Sequence, residues 1–182
     1  MIVKQKKIAI FDMDGTLADT DVANSAAYCA ALARAGVRNM FGLVGRVTAD
    51  VVRAAMGDGA AVAIDDIVRM KVEAYCGELW RANIGPASED FRCVLLNRSI
   101  FDKVVLLSDG SERRVVETLN HFGWKSLFDE IVCNGGKGDK YANYFRGFDS
   151  DPAACVVWEN EDGQIKSAIA AGVKMENIRK VG

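Results

Sequence analysis

The hydrophobic and polar positions of this chain follow two kinds of pattern. Short continuous apolar runs are typical of buried parallel strands. They occur at residues 8–11, 104–107, 131–133 and 155–158, and a short last strand is predicted over residues 178–181. Segments with apolar residues every three or four positions, which predict helices, follow three of these runs at residues 111–121, 141–146 and 165–172. This alternation predicts an α/β fold, with a mostly parallel sheet and helices on both faces.

The segment between the first two strands has a helical pattern throughout. One face of its first predicted helix, which Gly36 ends, carries Val22, Ala26, Cys29, Ala30 and Ala33. Two further helices are predicted over 49–56, with Thr48 as N-cap, and over 64–80. We therefore predict an α/β core of residues 1–18 and 88–182, with a small all-helical domain of residues 19–87 inserted after the first strand.

Composition excludes several classes of function. The 182 residues are half hydrophobic and carry a formal net charge of −2, with no long basic run, so a nucleic-acid-binding surface is not expected. The apolar part of the N-terminus is too short for a signal peptide or a membrane span. Five cysteines without a C-x-x-C pair predict small core residues in a reducing cytoplasm. We expect a cytoplasmic monomer or dimer.

The residues after the first apolar run carry the strongest chemical signal. Asp12 and Asp14 lie two positions apart at the end of a predicted strand, so their side chains point the same way. Gly15 allows a sharp turn, and Thr16 is placed to bind a ligand through its hydroxyl or amide. One carboxylate can attack as a nucleophile while the other transfers protons, which predicts phosphoryl transfer through an aspartyl-phosphate.

The stretch D-M-D-G-T-L over residues 12–17 resembles the first motif of the haloacid dehalogenase (HAD) superfamily of phosphotransferases. The resemblance implies a Rossmann-like core with a helical cap inserted after this motif, in agreement with the predicted layout. It also implies that Asp12 attacks phosphorus, while Asp14 protonates the leaving oxygen and then activates water. An acid at position 14 favours a phosphatase over a dehalogenase.

Ser108, Asp109 and Gly110 form a second candidate site. They follow an apolar strand and precede a helix N-terminus, which together favour an anion site. This stretch resembles the second HAD motif. The resemblance implies that the Ser108 hydroxyl holds a phosphate oxygen and that Asp109 and Gly110 contribute backbone amides.

Two lysines compete for a third position. The HAD pattern implies a lysine at the start of the helix after the third strand, where its ammonium neutralises the nucleophile and the incoming phosphate. Lys140 is favoured because Tyr141, Tyr144 and Phe145 give the following helix an apolar face. Lys137, in the Gly-rich loop, is the alternative and a candidate phosphate ligand.

Acids after the last long strand favour Mg²⁺, because this hard ion prefers carboxylate oxygens and water. The stretch resembles the fourth HAD motif, which implies that Asp12, the main-chain carbonyl of Asp14, and Glu159 hold the metal. Asn160 stands where the family usually has Asp, and it offers a carbonyl oxygen without a charge. Asp162 is the candidate that would supply the missing charge, directly or through water.

The resemblance therefore implies a Mg²⁺-dependent phosphomonoester hydrolase that acts on a small phosphorylated substrate. In the predicted cap, Arg46 and Thr48 lie in a Gly-bounded turn and are candidate substrate contacts. Two alternatives stay open. One is a phosphomutase or phosphotransferase of the same fold, and the other is a catalytically weakened protein that binds a phosphorylated ligand, which Asn160 motivates.

Overall fold

The computed structural model describes residues 7–37, 47–57, 62–147 and 151–182. The chain divides into two compact units, one formed by Met1–Ala18 with Ile84–Gly182 and the other by Asp19–Asn83. The first unit contains the parallel sheet, and the second is built mainly from helices. The α/β fold class predicted from the alternation of strands and helices is thereby confirmed.

The described residues contain seven strands and seven α-helices. The strands are β1 (Ile8–Phe11), β2 (Ala18–Asp19), β3 (Asn83–Ile84), β4 (Lys103–Ser108), β5 (Glu130–Cys133), β6 (Cys155–Glu159) and β7 (Ile178–Lys180). The helices are α1 (Asp21–Arg34), α2 (Ala49–Met56), α3 (Ile64–Glu78), α4 (Ser88–Leu96), α5 (Glu112–His121), α6 (Lys140–Phe145) and α7 (Asp162–Ala170).

The main sheet has the strand order β5–β4–β1–β6–β7, and its neighbouring strands are parallel. β1 lies at its centre, where Phe11 is in register with Leu106 of β4 and Trp158 of β6. The carboxyl ends of these three strands therefore meet at one edge, which is where open α/β sheets bind ligands. The short strands β2 and β3 pair separately with each other.

Apolar side chains cover both faces of the central strand, which explains why β1 is a continuous hydrophobic run. On one face, Phe11 stacks on Trp158 with ring centroids 4.2 Å apart and meets Phe91 of α4 edge-on. On the other face, Ile10 packs in a cluster that includes Tyr141 of α6. Burial of each such side chain stabilises the fold by about 1.5–3 kcal/mol, so the strand end that carries Asp12 is firmly held.

Two of the first unit's helices begin beside the strand ends. Asp139 caps α6 by accepting a hydrogen bond from the amide of Ala142 at 2.9 Å, which makes Lys140 the first helical residue. α5 begins at Glu112, directly after the loop that follows β4. Residues in these first helical turns are thus brought toward the carboxyl edge of the sheet.

The second unit has its own hydrophobic cluster, which contains Tyr28 and Leu32 of α1, Val52 of α2 and Ile67 of α3. The face predicted for α1 is wrong by one position. Val22 is 53% exposed, whereas Ala23, Ala27 and Ala31 are buried together with Tyr28 and Leu32. The large side chains of Tyr28 and Leu32 decide the orientation, because their burial removes more apolar surface than that of the small residues on the predicted face.

The cysteines differ from their predicted role as core residues. Cys155 is buried, but Cys29 and Cys93 are exposed and all five thiols are free. The two exposed cysteines lie on the outer faces of α1 and α4, so small apolar residue type alone did not indicate burial. Among the described residues, no helix has both the length and the apolar character needed to cross a membrane.

Candidate active site

The carboxyl edge of the sheet brings together residues that are far apart in sequence. Asp12 directly follows β1, and its backbone amide donates to the carbonyl of Trp158 at 3.0 Å. Glu159 ends the neighbouring strand β6, and Ser108 ends β4 on the other side of β1. The parallel register is the physical reason why these three strand ends adjoin each other.

Lys140 lies between two carboxylates. Its Nζ donates to Oδ1 of Asp12 at 2.7 Å and lies 2.8 Å from Oε2 of Glu159, with only 2% of the lysine side chain exposed. Burial alone would lower the pKa of this ammonium, but the carboxylates of Asp12 and Glu159 outweigh burial and raise it. Lys140 is therefore a permanent cation at the proposed nucleophile.

The negative charge around Asp12 is larger than the positive charge of Lys140 offsets. Burial raises the pKa of Asp12 to about 7, and the nearby carboxylates of Glu159 and Asp14 act in the same direction, against the attraction of Lys140. An additional cation beside Asp12 would favour its ionised, nucleophilic form.

Glu159 is held by four donors. Its Oε2 accepts from the hydroxyl of Tyr141 at 3.0 Å in addition to the contact with Lys140. Its Oε1 accepts from the backbone amides of Asn160 at 3.0 Å and Glu161 at 3.2 Å. Because both oxygens are already engaged, the geometry suits an anchor for Lys140 better than a direct metal ligand.

Asp14 is paired with a residue that the sequence analysis did not single out. Nη1 of Arg114 donates to Oδ1 of Asp14 at 2.7 Å, and Nη2 donates to Oδ2, which makes a two-pronged contact. Arg114 is the third residue of α5 and lies 100 positions from Asp14. In the sequence, the position of Arg114 in the first turn of the helix after Ser108 was the feature that could have indicated a role at the site. The adjacent Arg113 shares this position but is exposed, so the sequence alone does not distinguish the two arginines.

A tight turn follows the two aspartates. The backbone of Gly15 has a positive φ of 79°, and its amide donates to the carbonyl of Ala18 at 2.8 Å. The positive φ favours glycine there, and a Cβ at Gly15 would push aside the amide group of Asn160. The Thr16 hydroxyl donates to Oδ1 of Asn160 at 3.3 Å, which links this turn to the end of β6.

The loop after β4 is held by side chains from β4, from the loop after β5 and from α7. The backbone amide of Gly110 donates to the Ser108 hydroxyl oxygen at 3.0 Å, so Ser108 keeps its own O–H as a donor. The Asp109 carboxylate accepts from Asn134 at 2.7 Å and from Gln164 at 3.0 Å. The side chain of Asp109 therefore fixes the loop, and a contribution of its backbone amide to phosphate binding stays a prediction.

The structure has two of the predicted site residues, Asp162 and Lys137, at the surface of the first unit. Asp162 is 73% exposed and paired with Lys180 at 2.7 Å, so the structure does not bring it to Asp12. Lys137 is exposed in its loop, and it is Lys140 that contacts Asp12. Thr48 caps α2 in the second unit by accepting from the amide of Val51. Arg46 lies outside the described residues.

Oxygen donors near Asp12 match the ligand preferences of Mg²⁺. Among the residues that the structure describes, no three acidic, His or Cys side chains form a ready-made metal cluster. Oxygen donors are nevertheless present, namely the Asp12 carboxylate, the Asn160 amide oxygen and the main-chain carbonyl of Asp14. Such a set fits Mg²⁺, which is commonly bound by one or two carboxylates together with substrate phosphate and water, and the raised pKa of Asp12 indicates a need for positive charge.

Comparison with known proteins gives consistent results. The family model described as haloacid dehalogenase-like hydrolase matches residues 9–173. Fructose-1-phosphate phosphatase YqaB of Escherichia coli strain K12 is 27% identical, over 93% of this chain and 95% of its own length.

Solved structures with low sequence identity share the fold. CbbY from Rhodobacter sphaeroides, in complex with phosphate, superposes with a TM-score of 0.73 at 22% identity, covering 93% of this chain and 84% of its own. A putative β-phosphoglucomutase from Thermotoga maritima has a TM-score of 0.70 at 20% identity, covering 96% of this chain and 84% of its own.

Proposed function

Because this chain belongs to the haloacid dehalogenase-like hydrolase family and is a phosphatase-type enzyme of it, we propose that it hydrolyses a small phosphate monoester through an aspartyl-phosphate on Asp12. The observation that carries this proposal is the buried contact of Lys140 with Asp12 at 2.7 Å, beside the Asp14 carboxylate. A nucleophile, a fixed cation and a second carboxylate are the groups that this chemistry requires.

In the proposed reaction, Asp12 attacks phosphorus in line with the leaving oxygen. Lys140 holds Oδ1 of Asp12, so we assign the attack to Oδ2. Asp14 delivers a proton to the leaving oxygen and then removes one from the water that hydrolyses the aspartyl-phosphate. Lys140 and the Ser108 hydroxyl stabilise charge on the phosphoryl oxygens, so catalysis is mainly positioning and electrostatics.

We assign Mg²⁺ as the cofactor. The Asp12 carboxylate, the Asp14 main-chain carbonyl and the Asn160 amide oxygen would hold it, and Glu159 would act through Lys140. When bound, the ion supplies positive charge to the nucleophile and to the phosphate. With Asn160 in place of an acid, we expect weak affinity for the metal until phosphate adds its own oxygens.

The substrate class that we propose is a phosphorylated sugar or a similarly small metabolite. The relative named fructose-1-phosphate phosphatase supports this choice, and fructose 1-phosphate is the first compound to assay. A phosphomutase of the same fold is the alternative. It would convert one sugar phosphate into an isomer, whereas a phosphatase releases inorganic phosphate, so product analysis separates the two.

The test is release of inorganic phosphate from an aryl phosphate and from fructose 1-phosphate across a Mg²⁺ titration. We expect Mg²⁺-dependent turnover in the wild type and a loss of at least about 10³-fold in Asp12→Asn. Turnover that persists in Asp12→Asn would refute the aspartyl-phosphate mechanism.

Asn160 favours a second candidate function, binding of a phosphorylated ligand without turnover. Folded wild-type protein that is inactive at every Mg²⁺ concentration, but gains turnover in Asn160→Asp, would establish that this residue has weakened the site. Inactivity of both proteins toward every substrate offered would count against both forms of the proposal.

A further inference from the structure

Arg114 is the charged residue at the site that the proposed reaction leaves unexplained. Its guanidinium contacts both oxygens of Asp14, and 13% of each side chain is exposed. Surface ion pairs contribute little and vary in geometry, but a largely buried pair of this kind is held in one arrangement. Burying both charges costs desolvation free energy, so stability alone does not account for this ion pair.

The two-pronged contact controls orientation as well as charge. Two parallel N–H···O bonds fix the plane of a carboxylate, which a single donor cannot do. The backbone of this turn is already fixed by the hydrogen bond from Gly15 to Ala18. The remaining freedom of Asp14 is in its side-chain torsions, and Arg114 removes it.

The loop after β4 leaves room for this contact. A Cβ at Gly110 would lie 2.7 Å from Nη2 of Arg114 and 3.2 Å from Oγ of Ser108. The absence of a side chain at Gly110 therefore lets the guanidinium lie close to the loop that follows Ser108. Arg114 is also anchored within α5, because its carbonyl accepts from the Thr118 hydroxyl at 2.9 Å.

We propose that Arg114 is a positioning residue that orients the Asp14 carboxylate for the step in which it removes a proton from the attacking water, an inference that rests on the proposed function. Both terminal nitrogens already donate to Asp14, so Arg114 acts through that carboxylate. Misplacement of a catalytic group by about 1 Å costs on the order of 10²-fold in rate. We therefore expect Arg114→Met to lower kcat by about 10- to 100-fold and to change KM by less than about threefold.

The experiment is a double-mutant cycle on Mg²⁺-dependent aryl phosphate hydrolysis. It compares wild type, Arg114→Met, Asp14→Asn and the double variant, with Arg113→Met as the matched control on the exposed neighbour. Removal of the acid–base group itself costs about 10²- to 10⁴-fold. If Arg114 acts through Asp14, adding Arg114→Met to Asp14→Asn costs less than about threefold further, and Arg113→Met behaves as the wild type.

Three results would overturn the proposal. These are a kcat of Arg114→Met within about threefold of the wild type, a full additional loss in the Asp14→Asn background, and a KM raised at least about tenfold in both backgrounds. The last result would mean that Arg114 contacts the substrate. Circular dichroism and thermal unfolding of each variant establish that it is folded.

Arg114→Lys keeps the proposal testable if Arg114→Met does not fold. Its ammonium retains the charge but cannot make the two-pronged contact, so we expect a partial loss of kcat with KM preserved. A kcat equal to that of the wild type would overturn the role of orientation. If the wild type does not turn over, or Asp12→Asn remains active, the proposed function is what fails and the role of Arg114 fails with it.

Discussion

Asp12→Asn should stabilise the protein at neutral and alkaline pH while abolishing turnover. Asp12 is buried beside Glu159 and Asp14, and Lys140 offsets only part of this negative charge. The substitution replaces the carboxylate with a neutral amide of similar shape. Lys140 then remains paired with Glu159 at 2.8 Å. The side chains at position 12, Lys140 and Glu159 together carry no net charge in this variant.

The magnitude follows from the pKa of Asp12, which burial raises from its ordinary value of 3.8 to about 7. The folded protein therefore binds a proton between these values that the unfolded chain releases. A group with a raised pKa contributes stability that is present below pH 3.8 and is lost as pH rises through about 7. At 1.36 kcal/mol per pKa unit, the ionised Asp12 costs at most about 4 kcal/mol above pH 7.

The assay is urea and thermal unfolding of both proteins from pH 4 to pH 8.5, in EDTA and without phosphate, so that no bound ion compensates the carboxylate. We expect equal stability near pH 4 and a growing advantage for Asp12→Asn up to pH 8, reaching roughly 10 °C in Tm. Asp162→Asn is the control, because that carboxylate is exposed and paired with Lys180, which lowers its pKa. An Asp12→Asn protein no more stable than the wild type at pH 8 would refute the argument.

Three further predictions concern the same edge of the sheet. Lys140→Met should reduce kcat by about 10²-fold or more by removing the cation at the nucleophile, whereas Lys137→Met should change kcat less than about twofold. Comparable losses of kcat in Lys140→Met and Lys137→Met would contradict the argument from the contact of Lys140 with Asp12. Gly15→Ala should destabilise the fold by at least about 2 kcal/mol, because φ is positive and a Cβ would displace the Asn160 side chain from its contact with Thr16. Gly136→Ala, with φ of 71° and open space, should cost only about 1 kcal/mol in urea unfolding. Equal costs would refute the steric argument. Tyr141→Phe leaves the buried Glu159 without one hydrogen-bond donor and should lower the free energy of unfolding by about 1–3 kcal/mol. Unchanged urea unfolding would contradict the role of Tyr141 in holding Glu159.

The core of the fold could be predicted because the responsible signals are local. A continuous apolar run marks a strand buried on both faces, and a three- to four-residue period marks a helix with one buried face. The carboxyl ends of parallel strands then meet without further information. This is why Asp12, Ser108 and Glu159 were expected at one edge, and the structure has all three at the ends of adjacent strands.

Local signals did not predict which face of a helix is buried, because that depends on competition between side chains. The buried face of α1 was wrong by one position because the bulk of Tyr28 and Leu32 outweighs a pattern of small residues. The exposure of Cys29, on the same helix, has the same origin. Periodicity identifies that a helix has a buried face, but packing against the neighbouring elements selects which one.

The sequence by itself predicted the class of chemistry, from two aspartates two residues apart after a buried strand. Only the tertiary structure decided which charged groups meet them. It brings Lys140 rather than Lys137 to Asp12, leaves Asp162 with Lys180 at the surface, and brings Arg114 to Asp14 across 100 positions. Ion pairing depends on distances between atoms on different elements, and those distances exist only after the sheet and helices have packed.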